Sequence, residues 1–319
     1  MRILVWHVHG SWTTSFVQGE HDYLVPLTPD RGEDGRGRAR TYPWPESVVE
    51  VPHDRLRDEH VDVVVYQRPH ELDLAREWLG RSVPGVYVEH NTPAGDVPKT
   101  RHPLADRDDI PLVHVTHFND LFWDSGKAPT HVIEHGVLDP GHVYTGELAR
   151  AGVVVNEPVR RWRVAGTDLL PAFATAAPLD VFGMKVAALD ATLGLAGHLG
   201  TFEDLPQAQM HTALARRRVY LHPYRWTSLG LSLIEAMMIG MPVVALATTE
   251  AVEAVPPEAG VVSTKVPTLM KALERYAADP ELAAQTGKAA RAAALARYGL
   301  DRFLSDWERL LGEVASTAR

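Results

Sequence analysis

The sequence predicts an α/β protein made of two halves, each built on a parallel, doubly wound sheet. Short runs rich in β-branched residues alternate with stretches of helical spacing, and this alternation starts again near residue 152. The chain has 319 residues, which is enough for two domains of about 150 residues with a core each. We therefore expect an N-terminal domain over residues 1–140, a second domain over residues 151–298 and a C-terminal helix over residues 299–319.

The first half begins with a strand and continues as strands that alternate with helices. Strands are expected at MRILVWHV, VDVVVYQ, GVYVEH, LVHVTH and HVIEHG, and helices at HELDLAREWLG and FNDLFWDSG. Residues 13–52 depart from this pattern because they include PDRGEDGRGRARTYPWP, which is rich in glycine, arginine and proline. Such a composition predicts a surface loop or a mobile flap.

The second half repeats the alternation. Strands are expected at AGVVVN, LDVFGM, VYLH, VVAL and GVVS, and helices at TDLLPAFATA and DLPQAQMHTALA. Two alanine-rich helices follow, and the chain closes with the amphipathic helix YGLDRFLSDWERLLGEV.

Residues 222–246 are the stretch most informative about function. Apolar residues at helical spacing follow Gly230, and the helix is expected to end at Gly240. The first turn of such a helix presents unpaired N–H groups and a positive dipole end, which favour a phosphate over residues 228–231. Glu235 lies one turn further on, where its two oxygens can accept from the hydroxyls of a ribose. The alternative is that Ser232, Glu235 and Ile239 line the solvent face of an amphipathic helix.

This stretch, TSLGLSLIEAMMIGMPVVA, resembles the donor-binding signature of the retaining nucleotide-sugar glycosyltransferases of family 4, which reads ExFGLxxxEAMAxGxPVVA. The matching residues are Gly230, Leu231, Glu235, Ala236, Met237, Gly240, Pro242, Val243 and Val244. The resemblance implies the GT-B fold, in which two Rossmann-like domains face each other across a cleft and the last helix crosses back to the first domain.

The resemblance also implies roles for single residues. Glu235 is expected to bind the donor ribose, and Ser228 belongs to the turn that holds the phosphates. Two positions depart from the family pattern. The family's first glutamate, which contacts the donor sugar, falls on Thr227, and its phenylalanine falls on Leu229. A threonine hydroxyl can donate to a sugar oxygen, but it carries no charge.

A basic run follows the first strand of the second half, where ligands of open α/β sheets bind. This run, NEPVRRWRVAGTD, resembles the family pattern GRxxxxKG more faintly: Arg160 and Gly166 match, and Ala165 replaces the lysine. Arg163 is near enough to take over from that lysine. Arg160 and Arg163 are therefore expected to clamp a diphosphate, and the alternative is a loop of solvated arginines.

A further donor contact is expected at residues 197–202, GHLGTF, which are similar to the family's strand end beside the nucleobase. This similarity makes Gly200 and Thr201 donor-binding candidates, although the side chains do not identify the base. Gly10, after the first strand, matches the family's glycine loop loosely and is a donor-binding candidate of the first half.

The strand ends of the first half supply the remaining candidates. GVYVEHN resembles the family's strand that ends in a histidine beside the donor sugar, so His90 is the candidate catalytic residue of this half, although a lone strand-end histidine is often structural. An alternative acceptor surface is the loop over residues 13–52, through its arginines and Trp44. The acceptor-binding candidates are His9, Trp12, Arg68, His117 and His135.

Composition excludes several other functions. A net charge of −9 with interspersed signs argues against a nucleic-acid binder, and the absence of cysteine excludes disulfides, thiolate metal sites and a cysteine nucleophile. The 16 histidines raise the possibility of a metal site, but no HExxH or Asp-His cluster accompanies them. No GxSxG or GxxxxGKS motif is present. No run is long enough to span a bilayer, so we expect a cytoplasmic protein.

These observations predict a glycosyltransferase that moves a sugar from a nucleotide diphosphate sugar to a glycan or small-molecule acceptor. The resemblance implies retention of configuration and chemistry without a metal, with the nucleotide sugar as co-substrate and no other cofactor. Domain closure is expected to exclude water. Two alternatives stay open: a nucleotide-sugar epimerase of the same fold, and a noncatalytic nucleotide-sugar-binding protein. The sequence does not specify the nucleobase, the sugar, the acceptor or the oligomeric state.

Overall fold

The computed structural model describes residues 1–42, 44–195 and 198–316. They form two compact units: Met1–Val137 together with the chain from Leu300 onward, and Leu138–Gly299. Both units consist of a parallel sheet with helices, which confirms the predicted α/β class. Gly197 and the last three residues of the expected C-terminal helix lie outside the described residues.

The first unit contains a parallel sheet whose strand order is β3-β2-β1-β4-β5-β6-β7. Three helices connect these strands in the described part of the unit, namely α1 (Gly10–Phe16), α2 (Glu71–Leu79) and α3 (His117–Phe122). The strands are β1 (Arg2–Val5), β2 (Asp22–Leu27), β3 (Val48–Pro52), β4 (Val63–Tyr66), β5 (Gly85–Glu89), β6 (Leu112–His114) and β7 (Thr130–Val132).

The prediction of a loop over residues 13–52 is wrong for most of that segment, because it contains the end of α1 and the strands β2 and β3. Residues 17–21, 28–42 and 44–47 are irregular, and two side chains of the last two stretches bind within the first unit. Arg38 donates to the carbonyl oxygens of Pro45 and Trp44, at 3.0 and 2.8 Å. Trp44 is buried, and its Nε1 donates to Thr14 Oγ1 at 2.8 Å. The tryptophan is therefore a core residue and offers no surface for an acceptor.

The second unit has the strand order β10-β9-β8-β11-β12-β13, again all parallel. Its strands are β8 (Leu148–Val154), β9 (Leu179–Gly183), β10 (Leu199–Glu203), β11 (Arg217–His222), β12 (Val243–Leu246) and β13 (Gly260–Ser263). Its helices are α4 (Pro158–Ala165), α5 (Leu170–Ala174), α6 (Leu189–Leu193), α7 (Gln207–Leu214), α8 (Leu231–Ile239), α9 (Ala251–Ala254), α10 (Val266–Ala278) and α11 (Pro280–Tyr298).

The strand order places a topological switch point between neighbouring strands in each unit. In the second unit β8 connects to β9 on one side and β11 connects to β12 on the other. Crevices at the carboxyl ends of strands where the order reverses are the usual ligand sites of open α/β sheets. The segments that leave β8 and β11 are α4 and the turn before α8. Helix α4 contains the basic run selected from the sequence, and the turn before α8 contains Gly230.

The C-terminal helix α12 (Leu300–Ser316) packs on the first unit, as expected. Phe303 and Trp307 are buried, and the Trp307 ring lies 5.7 Å from that of Trp12. Arg302 Nη2 donates to the carbonyl oxygens of Glu134 and His135, at 3.0 and 2.6 Å. The helix is therefore held by aromatic packing and by hydrogen bonds to the segment that follows β7.

Helix α8 is held at its end by the close approach of α11. Gly240 ends α8 with a φ of 100°, a conformation that favours glycine. Its carbonyl oxygen would lie 1.9 Å from a Cβ added to Gly287, in the middle of α11. Glycine at position 287 therefore sets the distance between the two helices.

Replacing Gly287 by alanine should destabilise the protein, because the new methyl group overlaps a backbone oxygen that cannot move without shifting α8. The expected cost is about 1 to 3 kcal/mol, which is typical of overpacking. The matched control is Gly312→Ala in α12, where an added Cβ meets nothing within 4 Å. Helix propensity alone should make that variant more stable by about 1 kcal/mol. Equal thermal unfolding of the two variants would contradict the packing argument.

Candidate functional site

The turn before α8 leaves the end of β11 and presses against the last residue of that strand. Gly230 is the residue before α8, and a Cβ added there would lie 2.7 Å from His222 Cε1. No side chain caps the helix start through Gly230. The Leu233 amide donates to the Gly230 carbonyl oxygen at 2.9 Å, which leaves the amides of Leu231 and Ser232 as the groups of the first turn that can face an anion.

The residues of this turn differ in exposure. Ser228 and Leu229 are buried, whereas Thr227 is half-buried. The carbonyl oxygen of Ser228 accepts from the Glu250 amide at 3.4 Å, which ties the turn to the segment after β12. Leu229 therefore contributes packing, and Thr227 is the side chain of this turn that keeps access to a ligand.

Glu235 lies in the middle of α8 and is 4% exposed. Gln207 Nε2 donates to its Oε1 at 3.0 Å, and His211 Nε2 lies 3.2 Å from its Oε2. Both partners belong to α7. The alternative of a solvent face is wrong, because Glu235 is buried and Ile239 is 0% exposed. A carboxylate buried beside only two polar groups retains lone pairs for further donors, so its expected ribose role stays a prediction.

The floor of the turn is a chain of buried polar side chains. Tyr220 OH lies 3.0 Å from Ser232 Oγ and 3.4 Å from His222 Nδ1. Burial lowers the pKa of His222 to about 3, so its ring is neutral at physiological pH. Ser232 is half-buried, and its hydroxyl contacts the buried Tyr220.

The basic run after β8 forms a helix, α4, which is interrupted at Trp162, and not a loop. Arg160 and Arg163 have side chains that are 70% and 72% exposed. Arg160 Nε donates to Glu157 Oε2 at 2.8 Å, and Arg163 Nη1 donates to Asp168 Oδ2 at 3.1 Å. Their guanidinium groups are therefore paired with local carboxylates, and the clamp on a diphosphate stays a prediction.

The carboxylates that pair with these arginines are shared with other cations. Glu157 also accepts from Lys185 Nζ at 2.6 Å, and hydrogen bonds from Arg160 and Lys185 lower its pKa to about 2. Asp168 also accepts from Arg225 Nη2 at 2.9 Å, and Arg225 is the main cause of its lowered pKa. The edge of the sheet at β8 and β11 is consequently rich in positive charge.

The sequence analysis did not select Arg161, which lies in the same helix. Arg161 is half-buried, whereas Arg160 and Arg163 are exposed. Its guanidinium carbon lies 5.3 Å from the centre of the Tyr224 ring. Tyr224 follows β11 directly and is 7% exposed. The signal in the sequence was present, because Arg161 lies three residues after Pro158 and four before Ala165, and both of these are buried.

Gly200 and Thr201 lie inside β10 rather than at its end, which is Glu203. A Cβ at position 200 would lie 2.4 Å from Asp180 Oδ1, so glycine is required there by the buried Asp180. Asp180 in turn accepts from Arg217 Nε at 2.7 Å. This packing accounts for Gly200 without a ligand, and a nucleobase contact stays a prediction for Thr201.

Three histidines come together at the carboxyl edge of the first unit's sheet. The rings of His9 and His90 are 4.0 Å apart, and the positive charges of His9 and His135 would each oppose protonation of His90. Burial is the main cause that lowers the pKa of His9 to about 4 and that of His135 to about 3. Burial also holds the pKa of His90 well below its usual range. The cluster is therefore neutral at physiological pH.

The other candidates of this unit have diverse surroundings. Trp12 is 1% exposed, with its ring 5.0 Å from that of His90, so it is a core residue that supports His90 and its assignment as an acceptor contact is wrong. Gly10 is the first residue of α1, and a Cβ there would meet the Tyr42 ring at 2.9 Å. Arg68 pairs with Asp34 and Glu71, at 2.9 and 2.7 Å. His117 is exposed at the start of α3.

Glu89, the last residue of β5, is a buried carboxylate that sequence reasoning passed over. Its Oε1 accepts from the Asn91 amide at 2.6 Å, and its Oε2 lies 3.0 Å from His102 Nε2. Its charge also acts on His9, whose pKa it raises against the effect of burial. A carboxylate next to a strand-end histidine was visible in the sequence, but its contact with His102, 13 residues further along the chain, was not.

In the described part of the chain, no group of three or more His, Asp or Glu side chains is arranged to hold a metal ion. Within the same residues, no helix combines the length and apolar character needed to cross a membrane.

Comparison with known proteins identifies the family that the second unit resembles. Residues 183–293 match the family model described as Glycosyl transferases group 1. A search of curated protein sequences finds no match. The family match confirms the resemblance to glycosyltransferases over these residues.

Solved structures extend the likeness to the whole chain. Sucrose-phosphate synthase from Thermosynechococcus elongatus is 14% identical, with 99% of this chain and 100% of that chain covered and a TM-score of 0.73. HepE from Anabaena, in complex with UDP, is 15% identical, with 98% and 100% covered and a TM-score of 0.69. AviGT4, a glycosyltransferase involved in avilamycin A biosynthesis, is 13% identical, with 99% and 98% covered and a TM-score of 0.65. The predicted GT-B fold class is thereby confirmed.

The buried neutral histidines predict how stability depends on pH. The folded chain binds protons at His9, His135 and His222 only near pH 3 to 4, whereas the unfolded chain binds them below about 6.5. Their contribution to stability is therefore complete from about one pH unit above 6.5, is partly lost at pH 6.5, where the unfolded histidines are half protonated, and falls further as the pH approaches 4.

Thermal unfolding at pH 8.5, 7.5, 6.5 and 5.5 should show a midpoint that is nearly constant between the first two values and falls at the lower ones. Carboxylates whose pKa is lowered in the folded chain contribute almost nothing in this range. At a pH above their ordinary pKa, they are ionised in both the folded and the unfolded chain. In the variant His222→Leu the fall should be shallower. A midpoint that rises on acidification would contradict the assignment.

Proposed function

Because the second unit matches the group 1 glycosyltransferases, we propose that the protein transfers a sugar from a nucleoside diphosphate sugar to a glycan or small-molecule hydroxyl. The observation that carries the proposal is the combination of an uncapped helix start at Gly230 with the buried Glu235 one turn later. Both lie beyond the carboxyl end of β11, at the switch point of the sheet.

Donor binding divides into three contacts. The amides at the start of α8, from Ser228 to Leu231, receive a phosphate, and the carboxylate of Glu235 accepts from the ribose hydroxyls. Gln207 and His211 keep that carboxylate oriented, at 3.0 and 3.2 Å. Thr227 contacts the donor sugar through its hydroxyl.

Electrostatic stabilisation of the departing diphosphate supplies most of the catalysis in this mechanism. The α8 dipole and the basic residues of α4 act on charge that develops as the glycosidic bond breaks. No side-chain nucleophile is required if the leaving phosphate itself takes the proton of the acceptor hydroxyl. We propose retention of anomeric configuration on this basis, and transfer without a metal.

The acceptor binds to the first unit in this proposal, with His90 and His9 as its main contacts. Neutral imidazoles donate and accept hydrogen bonds without the desolvation cost of a charge, which suits a polyol hydroxyl. Arg68 and His117 are weaker candidates for the same role.

UDP is the first nucleotide to test. HepE has been crystallised with UDP and with UDP-glucose, and its fold matches 98% of this chain. The similarity of fold does not carry the base specificity, so GDP, ADP and dTDP belong in the same panel.

A nucleotide-sugar-binding protein without turnover is the second candidate. Thr227 favours it, because this position lacks the carboxylate of the family pattern. An epimerase of the same fold is the third, and it would convert the donor sugar with no acceptor present.

Replacing Glu235 by alanine should weaken binding of UDP by about 1 to 3 kcal/mol, because charged hydrogen bonds to the ribose are lost. Isothermal titration with UDP and with 2′,3′-dideoxy-UDP measures this. The dideoxy nucleotide should bind the two proteins equally. Glu274→Ala, an exposed carboxylate on α10, is the matched control and should bind UDP as the wild type does. Unchanged UDP affinity in Glu235→Ala would exclude the ribose contact.

Turnover should be measured as nucleotide release from a panel of nucleotide sugars with mixed polyol and glycan acceptors. Release is expected to depend on an acceptor, to persist in excess EDTA and to give a product whose anomeric configuration by NMR matches that of the donor. Epimerised donor without acceptor would select the epimerase. Binding without release for every donor would select the noncatalytic protein.

A further inference from the structure

A cavity of about 120 Å³ lies at the edge of the first unit's sheet where β5 and β6 begin. Its walls are the end of α2, the connection from α2 to β5, the first residue of β5 and the segment before β6. The described residues that line it include none of the candidate acceptor contacts. A cavity of this volume has room for several water molecules, and therefore for a small polyatomic ion.

The side chain of Tyr66 reaches this cavity from β4. Tyr66 is 7% exposed, and a Cβ added to Gly85 would lie 2.6 Å from its Cε2 atom. Gly85 is opposite Val64 in the sheet register, so the ring of Tyr66 leans back towards the start of the strands. Its hydroxyl makes no hydrogen bond among the described residues, and Tyr66 lines the cavity. A buried hydroxyl with no partner in the protein needs one from outside the chain.

Positive charge surrounds this hydroxyl. Burial raises the pKa of Tyr66 to about 12, and the charges of Arg107 and Arg76 oppose this rise. The hydroxyl therefore keeps its proton at neutral pH and can donate a hydrogen bond to an anion. Arg81 is a third arginine in the wall of the same cavity.

The three arginines are neutralised to different degrees. Arg107 donates through Nε and Nη2 to the two oxygens of Asp109, both at 2.6 Å. Arg81 donates to backbone carbonyl oxygens, including that of Glu59 at 2.5 Å, and forms no ion pair among the described residues. In the same part of the chain, the side chain of Arg76 has neither a hydrogen bond nor an ion pair. Asp109 is the one carboxylate among the described lining residues, so cations prevail there.

We propose that this cavity binds a phosphate dianion, either as the free ion or as the terminal group of a small phosphate monoester. Its negative charges match the excess of arginines over carboxylates in the wall. The guanidinium group of Arg76 can direct two N–H donors to phosphate oxygens, and the hydroxyl of Tyr66 donates a further hydrogen bond. Arg81 keeps its charge beside the ligand, because carbonyl oxygens hold it without neutralising it. The site is independent of the proposed sugar transfer.

Titration of the full chain with inorganic phosphate at constant ionic strength tests the site. Binding should be saturable, and the thermal midpoint should rise with phosphate but not with chloride. Arg76→Met should weaken phosphate binding about 10- to 100-fold, because charged hydrogen bonds are lost. Tyr66→Phe should weaken it about 2- to 10-fold, because this change removes the hydroxyl and keeps the ring.

A second ligand distinguishes the two sources of the phosphate group. Glycerol 2-phosphate carries the same dianion on a small polyol. If it binds more tightly than inorganic phosphate, the ligand is a phosphate monoester. If inorganic phosphate binds more tightly, the ligand is the free ion. In both cases the affinity should fall in Arg76→Met.

Controls separate this site from the basic residues of α4, which can also attract phosphate. Arg160→Met should retain the binding event that Arg76→Met loses. Arg275→Met, which removes an exposed arginine of α10, should retain it as well. The thermal midpoint of each variant without phosphate shows whether it is folded. Binding of UDP, which the proposed function assigns to the second unit, should be unchanged in Arg76→Met.

Several results would overturn the phosphate site. These are an unchanged phosphate affinity in Arg76→Met or in Tyr66→Phe, an equal loss in Arg160→Met, an equal effect of chloride, or no binding to the wild type up to about 10 mM phosphate. Absence of phosphate binding would leave the proposed function intact. Absence of sugar transfer, together with phosphate binding that Arg76→Met loses, would leave the phosphate site intact.

Discussion

The placement of α8 is the constraint on which the rest of the second unit depends. At the start of the helix, a Cβ added to Gly230 would overlap the ring of His222. At its end, a Cβ added to Gly287 would overlap the carbonyl oxygen of Gly240. Between these contacts the helix is almost entirely buried. A helix fixed at both ends keeps its first amides and Glu235 at constant positions relative to the end of β11. Such pre-organisation is what electrostatic stabilisation of a leaving diphosphate requires.

The two units differ in the electrostatics of their strand ends. In the second unit, cations outnumber the carboxylates that pair with them around α4, so an anionic ligand is favoured. In the first unit, burial lowers the pKa of His9, His90 and His135, so these three histidines are uncharged. The proposed function uses this difference, with the charged donor assigned to the second unit.

The α/β class, the return of the last helix and the glycine turn before α8 could all be predicted from the sequence. Each depends on local information: alternation of apolar runs, an amphipathic period, and a glycine followed by helical spacing. The prediction of a loop over residues 13–52 was wrong because the glycine, arginine and proline residues on which it rested lie in the middle of the segment. The strands β2 and β3 lie on either side of them. Gly200 stays a predicted donor contact, and the structure adds a packing reason for glycine there that the sequence does not reveal, namely Asp180 on the neighbouring strand.

The sequence alone determined which stretches lie near the site, since strand ends and helix starts follow from local periodicity and glycine placement. Only the tertiary structure decided which side chains are available there. Arg160, Arg161 and Arg163 have the same chemistry and nearly the same position in the sequence. Their difference comes from Glu157, Asp168 and Tyr224, because a nearby carboxylate offsets the charge of Arg160 and of Arg163, whereas Arg161 contacts an aromatic ring.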